Sequence, residues 1–125
     1  IYEQALAEVK NGKKYSHWIW YIFPQLKGLG MSYNSQYYGI SSKEKAEAYL
    51  AHSVLGVRLR EITSAFLQLK GKAAVDVFGG LDTMKVLSCM TLFNEVASDD
   101  LFQQVIDLYF QGRPDETTKK ILNKY

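Results

Sequence analysis

A chain of 125 residues is one domain's worth, long enough to form a single hydrophobic core without metals or disulfides. With 47% apolar, 22% charged and 14% aromatic residues and only 2 prolines, it falls outside the disordered, collagen-like and coiled-coil classes. Its 15 basic and 13 acidic residues leave a charge of +2, too small to make duplex nucleic acid an expected partner, and a lone cysteine, Cys89, excludes an internal disulfide or a Cys-cluster zinc site.

Tyr2, Leu6 and Val9 recur at helical spacing, and Asn11-Gly12 supplies a stop, so residues 2 to 11 are predicted to be a short amphipathic helix. The next run, His17 to Phe23, is apolar at almost every position and suits a buried helix or a buried strand equally, with Pro24 ending it either way. It is the longest apolar stretch and is far shorter than the roughly 20 residues that span a bilayer, so no membrane association is expected. From Gln25 to Ile40, glycines and small polar residues interleave with aromatics, the pattern of an irregular loop packed by its own side chains.

Ser41 with Glu44 forms a capping-box pattern that opens a helix to about Ala51. Leu55, Leu59, Ile62, Phe66 and Leu69 then make the cleanest helical stripe in the chain, ending at Gly71. A brief helical turn at residues 73 to 78 leads to Asp82, read as the N-cap of a helix over residues 83 to 97 that is apolar on more than one face and should run through the core. Ser98-Asp99-Asp100 precedes a helix from Leu101 to Gln111, and Gly112 and Pro114 separate it from a last helix near Glu116 to Lys124. No alternation of period two persists, so the predicted fold is all-α, a single-domain orthogonal array of six or seven short helices. Leu59, Phe66, Met90 and Phe93 are the predicted core.

Two segments carry polar groups inside apolar surroundings. The first, Lys13 to Gln25, packs both tryptophans and His17 into four residues; Trp18, Trp20, Tyr21 and Phe23 suit a core, but Lys14, His17 and Gln25 would need partners if buried. A small polar ligand supplies such partners, with an indole face for a planar ring and Lys14 for an anion. The alternative is bonding to backbone carbonyls. In the second segment, Asp82 to Asn94, Lys85 and Ser88 emerge on neighbouring edges of a buried helix; Ser88 and Thr91 can equally bond back into their own helix. Cys89 reads as an inert core thiol.

The string Gly12-Lys13-Lys14-Tyr15-Ser16-His17-Trp18-Ile19-Trp20-Tyr21-Ile22-Phe23-Pro24-Gln25-Leu26-Lys27-Gly28-Leu29-Gly30, preceded by Tyr2-Glu3-Gln4-Ala5-Leu6, resembles the signature of the DUF1810 family, small proteins of unknown function that are sometimes labelled calpastatin-like. The likeness runs on through Tyr38-Gly39-Ile40, Leu55-Gly56-x-Arg58-Leu59, Asp82-x-x-Lys85, Ser88-x-Met90-Thr91-Leu92-Phe93 and Phe110-x-Gly112-x-x-Asp115. It implies an α-helical fold over residues 1–125 and, since the family usually begins with a further upstream segment, a short N-terminal piece missing before Ile1. A fainter similarity to the NADAR group of ADP-ribose-related N-glycosidases rests on an early aromatic and histidine segment paired with a late Met- and Phe-rich helix; that group's glutamate motif has no counterpart here.

These readings combine into one expectation. The chain is a cytoplasmic domain with a pocket for a nucleotide or ADP-ribose-like small molecule, which it binds or hydrolyses as an N-glycosidase-like enzyme would. His17 is the candidate general acid or base, because imidazole ordinarily titrates near neutral pH. Lys14, Trp18, Trp20, Gln25, Arg58, Lys85 and Ser88 are the candidate ligand-binding residues, with Lys14, Arg58 and Lys85 meeting anions. No metal and no cofactor are expected. The alternative is a non-enzymatic interaction or adaptor domain that uses its aromatic surface.

Overall fold

The computed structural model describes residues 1–69 and 71–124. Nine helices follow in order among them: α1 (Tyr2–Lys10), α2 (Ile19–Ile22), α3 (Tyr33–Tyr37), α4 (Lys43–Ala51), α5 (Leu55–Leu67), α6 (Ala74–Phe78), α7 (Gly80–Asn94), α8 (Leu101–Phe110) and α9 (Glu116–Leu122). The all-α expectation therefore holds, with nine helices rather than six or seven because α2, α3 and α6 are single turns. Among the described residues an isolated parallel bridge joins Leu26 and Ile40, where the Lys27 N–H donates to the Ile40 carbonyl at 2.7 Å and the Ile40 N–H to that of Gln25 at 2.8 Å. It pins both ends of the loop that carries α3.

The core forms where the stripe of α5 meets α7 and α8. Leu59, Ile62 and Phe66 of α5 are 0–1% exposed, and Met90, Leu92 and Phe93 of α7 are 0% exposed, so the predicted core residues are all interior. α7 is buried from Val86 through Phe93, as an element apolar on more than one face must be. Phe66 stacks on Tyr109 at 4.0 Å between ring centroids, and the Tyr109 hydroxyl donates to the carbonyls of Phe66 and Leu69, tying α8 to the end of α5. α4 crosses α5 at Gly56, where an added Cβ would lie 1.9 Å from the Leu50 carbonyl oxygen; only glycine allows that approach.

Several boundaries differ from the expected ones by a few residues, and three of them have a clear local reason. Ser42, not Ser41, caps α4, its hydroxyl accepting the Lys45 N–H at 3.1 Å. α7 starts at Gly80 rather than after Asp82, because Gly79 takes φ +80° and turns the chain into the helix earlier. Asp82 is thereby moved into the first turn, where it is free for tertiary pairing. α5 ends at Leu67, short of Gly71; Lys70, which the predicted stretch also spanned, lies outside the described residues.

Candidate functional site

The segment ahead of α2 is shaped by Glu8 of α1. Its carboxylate accepts the N–H groups of Tyr15 (2.7 Å) and Ser16 (3.0 Å), the Ser16 hydroxyl (2.7 Å) and the Trp18 indole N–H (3.0 Å). Desolvation works against the charged form of Glu8, but these four donors outweigh it and bring its pKa down from 4.5 to about 2. Held this way, Trp18 is 1% exposed and packs against Phe23 and Phe78 in the core. The chain then turns through α2 and presents Trp20 at the surface of the core, half-buried, facing the start of α7.

Three charges gather beside the tryptophans. Asp82 accepts from Lys14 Nζ at 2.8 Å through one carboxylate oxygen and from Lys85 Nζ at 3.2 Å through the other. Lys14 Nζ lies 5.1 Å from the centre of the Trp18 ring, and Lys85 Nζ 4.7 Å from that of Trp20, so each ammonium is shared between a carboxylate and an indole face. Partial burial opposes the charge on Asp82; hydrogen bonds and attraction from the two lysines prevail and hold its carboxyl below the usual range. Two cations around one anion leave the cluster with one net positive charge.

Two hollows open on either side of Trp20 and Lys85, which line both. The larger, about 500 Å³, is walled by Gln25, Leu26, Met84, Ser88 and Asp115 together with the loop at Leu29–Ser32. The smaller, about 210 Å³, is lined by Lys14, His17, Trp18, Tyr21, Asn34 and Asp82. Gln25 is 7% exposed, yet its amide nitrogen makes only a stretched 3.4 Å contact to the Phe23 carbonyl, beyond the usual range of such bonds. Ser88 is 9% exposed; its hydroxyl faces both the Met84 carbonyl at 3.1 Å, the bond back into the helix, and Asp115 at 2.9 Å. Asp115 is fixed in turn by its N–H donating to the Thr91 hydroxyl at 2.9 Å and by the Thr118 hydroxyl donating to its carboxylate.

The sequence candidates thus divide. Trp20, Gln25, Lys85 and Ser88 meet at the larger hollow, while Lys14, His17 and Trp18 adjoin it across Trp20 and Lys85. The single pocket expected for His17, Trp18, Gln25 and Lys85 is two adjoining hollows that share Trp20 and Lys85 as lining residues. Arg58 lines neither; it lies over the Tyr2 ring at 4.9 Å, where α1 packs on α5, and so does not join the anion contacts. His17 is exposed, and the fold uses its backbone carbonyl, which accepts from the Tyr21 hydroxyl at 3.1 Å. Cys89 is fully buried, and burial pushes its thiol well above the usual range, as suits a core residue. Glu8, Asp82 and Asp115, which shape the two hollows, were not site candidates; each reads in sequence as an ordinary helix-associated acid. Among the described residues no group of three or more His, Cys, Asp or Glu side chains is placed to hold a metal, and no helix is long and apolar enough to cross a membrane.

Comparison with known proteins bears on the whole chain. The model of the family described as "Protein of unknown function (DUF1810)" matches residues 1–122. The crystal structure of the conserved hypothetical protein Rv1873 from Mycobacterium tuberculosis is similar to this one with a TM-score of 0.95 and 40% sequence identity, over 98% of this chain and 88% of that one. No curated protein matches.

Proposed function

The chain belongs to the DUF1810 family of proteins of unknown function, and we propose that it binds a small planar, anionic ligand of the nucleotide class in the cavity between Gln25, Trp20 and the first turns of α7. The observation that carries this reading is Gln25: a carboxamide more than nine-tenths buried, on the cavity wall, with its hydrogen-bonding capacity almost unspent. That amide opens on the cavity, where a ligand's polar edge can take up the free capacity in a hydrogen bond worth on the order of 0.5–1.5 kcal/mol. Trp20 offers a ring face, Lys85 a cation at its edge, and Leu26, Leu29 and Met84 the apolar remainder of the wall.

Asp115 and Ser88 on the same wall suit a ligand that also carries a hydrogen-bond donor, such as the exocyclic amine of a nucleobase. Hydrolysis belongs to this reading as a second step, in which a ligand seated over Trp20 reaches into the hollow of His17 and the imidazole serves as general acid or base. The reading is tested by thermal shift with a panel of nucleosides, mononucleotides and ADP-ribose. A ligand at a hundred times its Kd stabilises the native state by about 2.7 kcal/mol, a clear rise in Tm; a flat response across the panel contradicts it. A second reading, a non-enzymatic interaction domain, is favoured by the exposed rings of Tyr33 and Tyr37 beside the cavity mouth.

A further inference from the structure

Four tyrosines form a track beside the cavity. Tyr33 and Tyr37, one turn apart on α3, stack with centroids 5.4 Å apart and planes 13° from parallel. Tyr37 meets Tyr38 edge-on at 4.8 Å, and Tyr38 meets Tyr21 at 5.0 Å. Tyr33 and Tyr37 are 74% and 66% exposed and stand outside the hydrophobic core, so they add little to folding. The platform beneath them is nonetheless built. The Ser32 hydroxyl caps α3 by accepting the Ser35 N–H at 3.2 Å, and the segment closes at Gly39, where a Cβ would come within 2.6 Å of the Ser35 carbonyl oxygen.

A lysine stands near each end of the track. At one end Lys27 and Gln36 share a hollow of about 420 Å³ with Tyr33 and Tyr37. At the other, Tyr21 shares the smaller hollow with Lys85, which is partly exposed and also donates to Asp82. We infer that this strip binds single-stranded nucleic acid, the bases stacking on the exposed rings of Tyr33 and Tyr37 and the phosphates meeting Lys27. The exposed rings of Tyr33 and Tyr37 suit unpaired bases, which have free faces; a duplex has none to offer, and Lys27 beside them favours a polyanion over a neutral glycan. The inference assigns an occupant to the aromatic surface and does not rest on the cavity.

The test is fluorescence anisotropy with a labelled oligothymidine about twelve nucleotides long, against the same strand annealed to its complement and against heparin. The single strand should bind more tightly than either competitor, with affinity falling as salt rises. Tyr33→Ala with Tyr37→Ala should weaken it about tenfold or more, Tyr33→Phe with Tyr37→Phe should retain it, and Lys27→Gln should reduce the salt dependence. The phenylalanine pair preserves the helix, so loss of binding by a misfolded alanine variant is recognisable from circular dichroism. Equal binding of strand, duplex and heparin, indifference to both tyrosine pairs, or a strip that captures only protein would overturn it. Mononucleotide binding in the cavity should survive the tyrosine substitutions and weaken about tenfold or more in Gln25→Ala, which separates failure of this inference from failure of the cavity reading.

Discussion

Lys85 Nζ sits 4.7 Å from the centre of the Trp20 ring while also donating to Asp82 at 3.2 Å, and this pair forms the seam between the two hollows. An ammonium held there is oriented without being used up, since Asp82 is shared with Lys14 and the cluster keeps one net positive charge. The two lysines should therefore respond differently to substitution.

Lys85→Ala leaves Asp82 paired with Lys14, whose side chain is 8% exposed, and should shift stability by less than about 1 kcal/mol while removing the cavity's cation. Asp82→Ala strands that buried Lys14 and should cost about 1–3 kcal/mol. Urea denaturation of the two variants checks the difference; equal losses would mean that Asp82 is not the centre of the cluster.

Glu8→Ala should destabilise by about 1–2 kcal/mol, because the indole N–H of Trp18 and the N–H groups of Tyr15 and Ser16 lose their acceptor. The same residue sets an acid limb. A carboxyl whose folded pKa is depressed to about 2 from 4.5 contributes stability that is present above pH 4.5 and lost as pH falls toward about 2, and Asp82 adds in the same direction. Tm measured from pH 6 downward should fall through that window in wild type and less steeply in Glu8→Ala.

Gly56→Ala forces a Cβ against the Leu50 carbonyl oxygen and should separate α4 from α5 at a cost of about 3 kcal/mol, whereas Gly80→Ala, with open space around its Cβ position, should be tolerated. Chemical denaturation of the two variants checks this; equal stability of the two would mean that the crossing has room for a side chain.

Phe66→Ala and Phe93→Ala should each cost about 3–5 kcal/mol. Both rings are 0% exposed, and Phe66 also carries the contact with Tyr109. If either variant unfolds within about 0.5 kcal/mol of wild type, the core assignment fails.

The core was legible because it is written in spacing: Leu59, Ile62 and Phe66 recur along one helix, and the apolar run of α7 admits no solvent face. What could not be read is tertiary pairing. Glu8 looks like a surface residue of an amphipathic helix, and nothing near it in the chain announces four donors arriving from Tyr15, Ser16 and Trp18. Asp82 has the residue type of an N-cap, and the backbone turn at Gly79 is what moves it inward to meet Lys14. Helix α3 had a signal that went unread, Ser32 as cap with Tyr33 and Tyr37 at helical spacing, masked by the glycines around it. Arg58, in contrast, was grouped with the anion contacts by residue type, and only the docking of α1 on α5 shows that it faces Tyr2 instead.

The cavity reading is tested most directly by calorimetric titration of adenosine monophosphate into the wild-type protein, Gln25→Ala and Lys85→Ala. One saturable site in the wild type, weakened about tenfold (about 1.4 kcal/mol) or more by each substitution, is the result expected of a buried amide and a cation converging on one ligand. No measurable heat in the wild type, or an affinity unchanged by both substitutions, would contradict it.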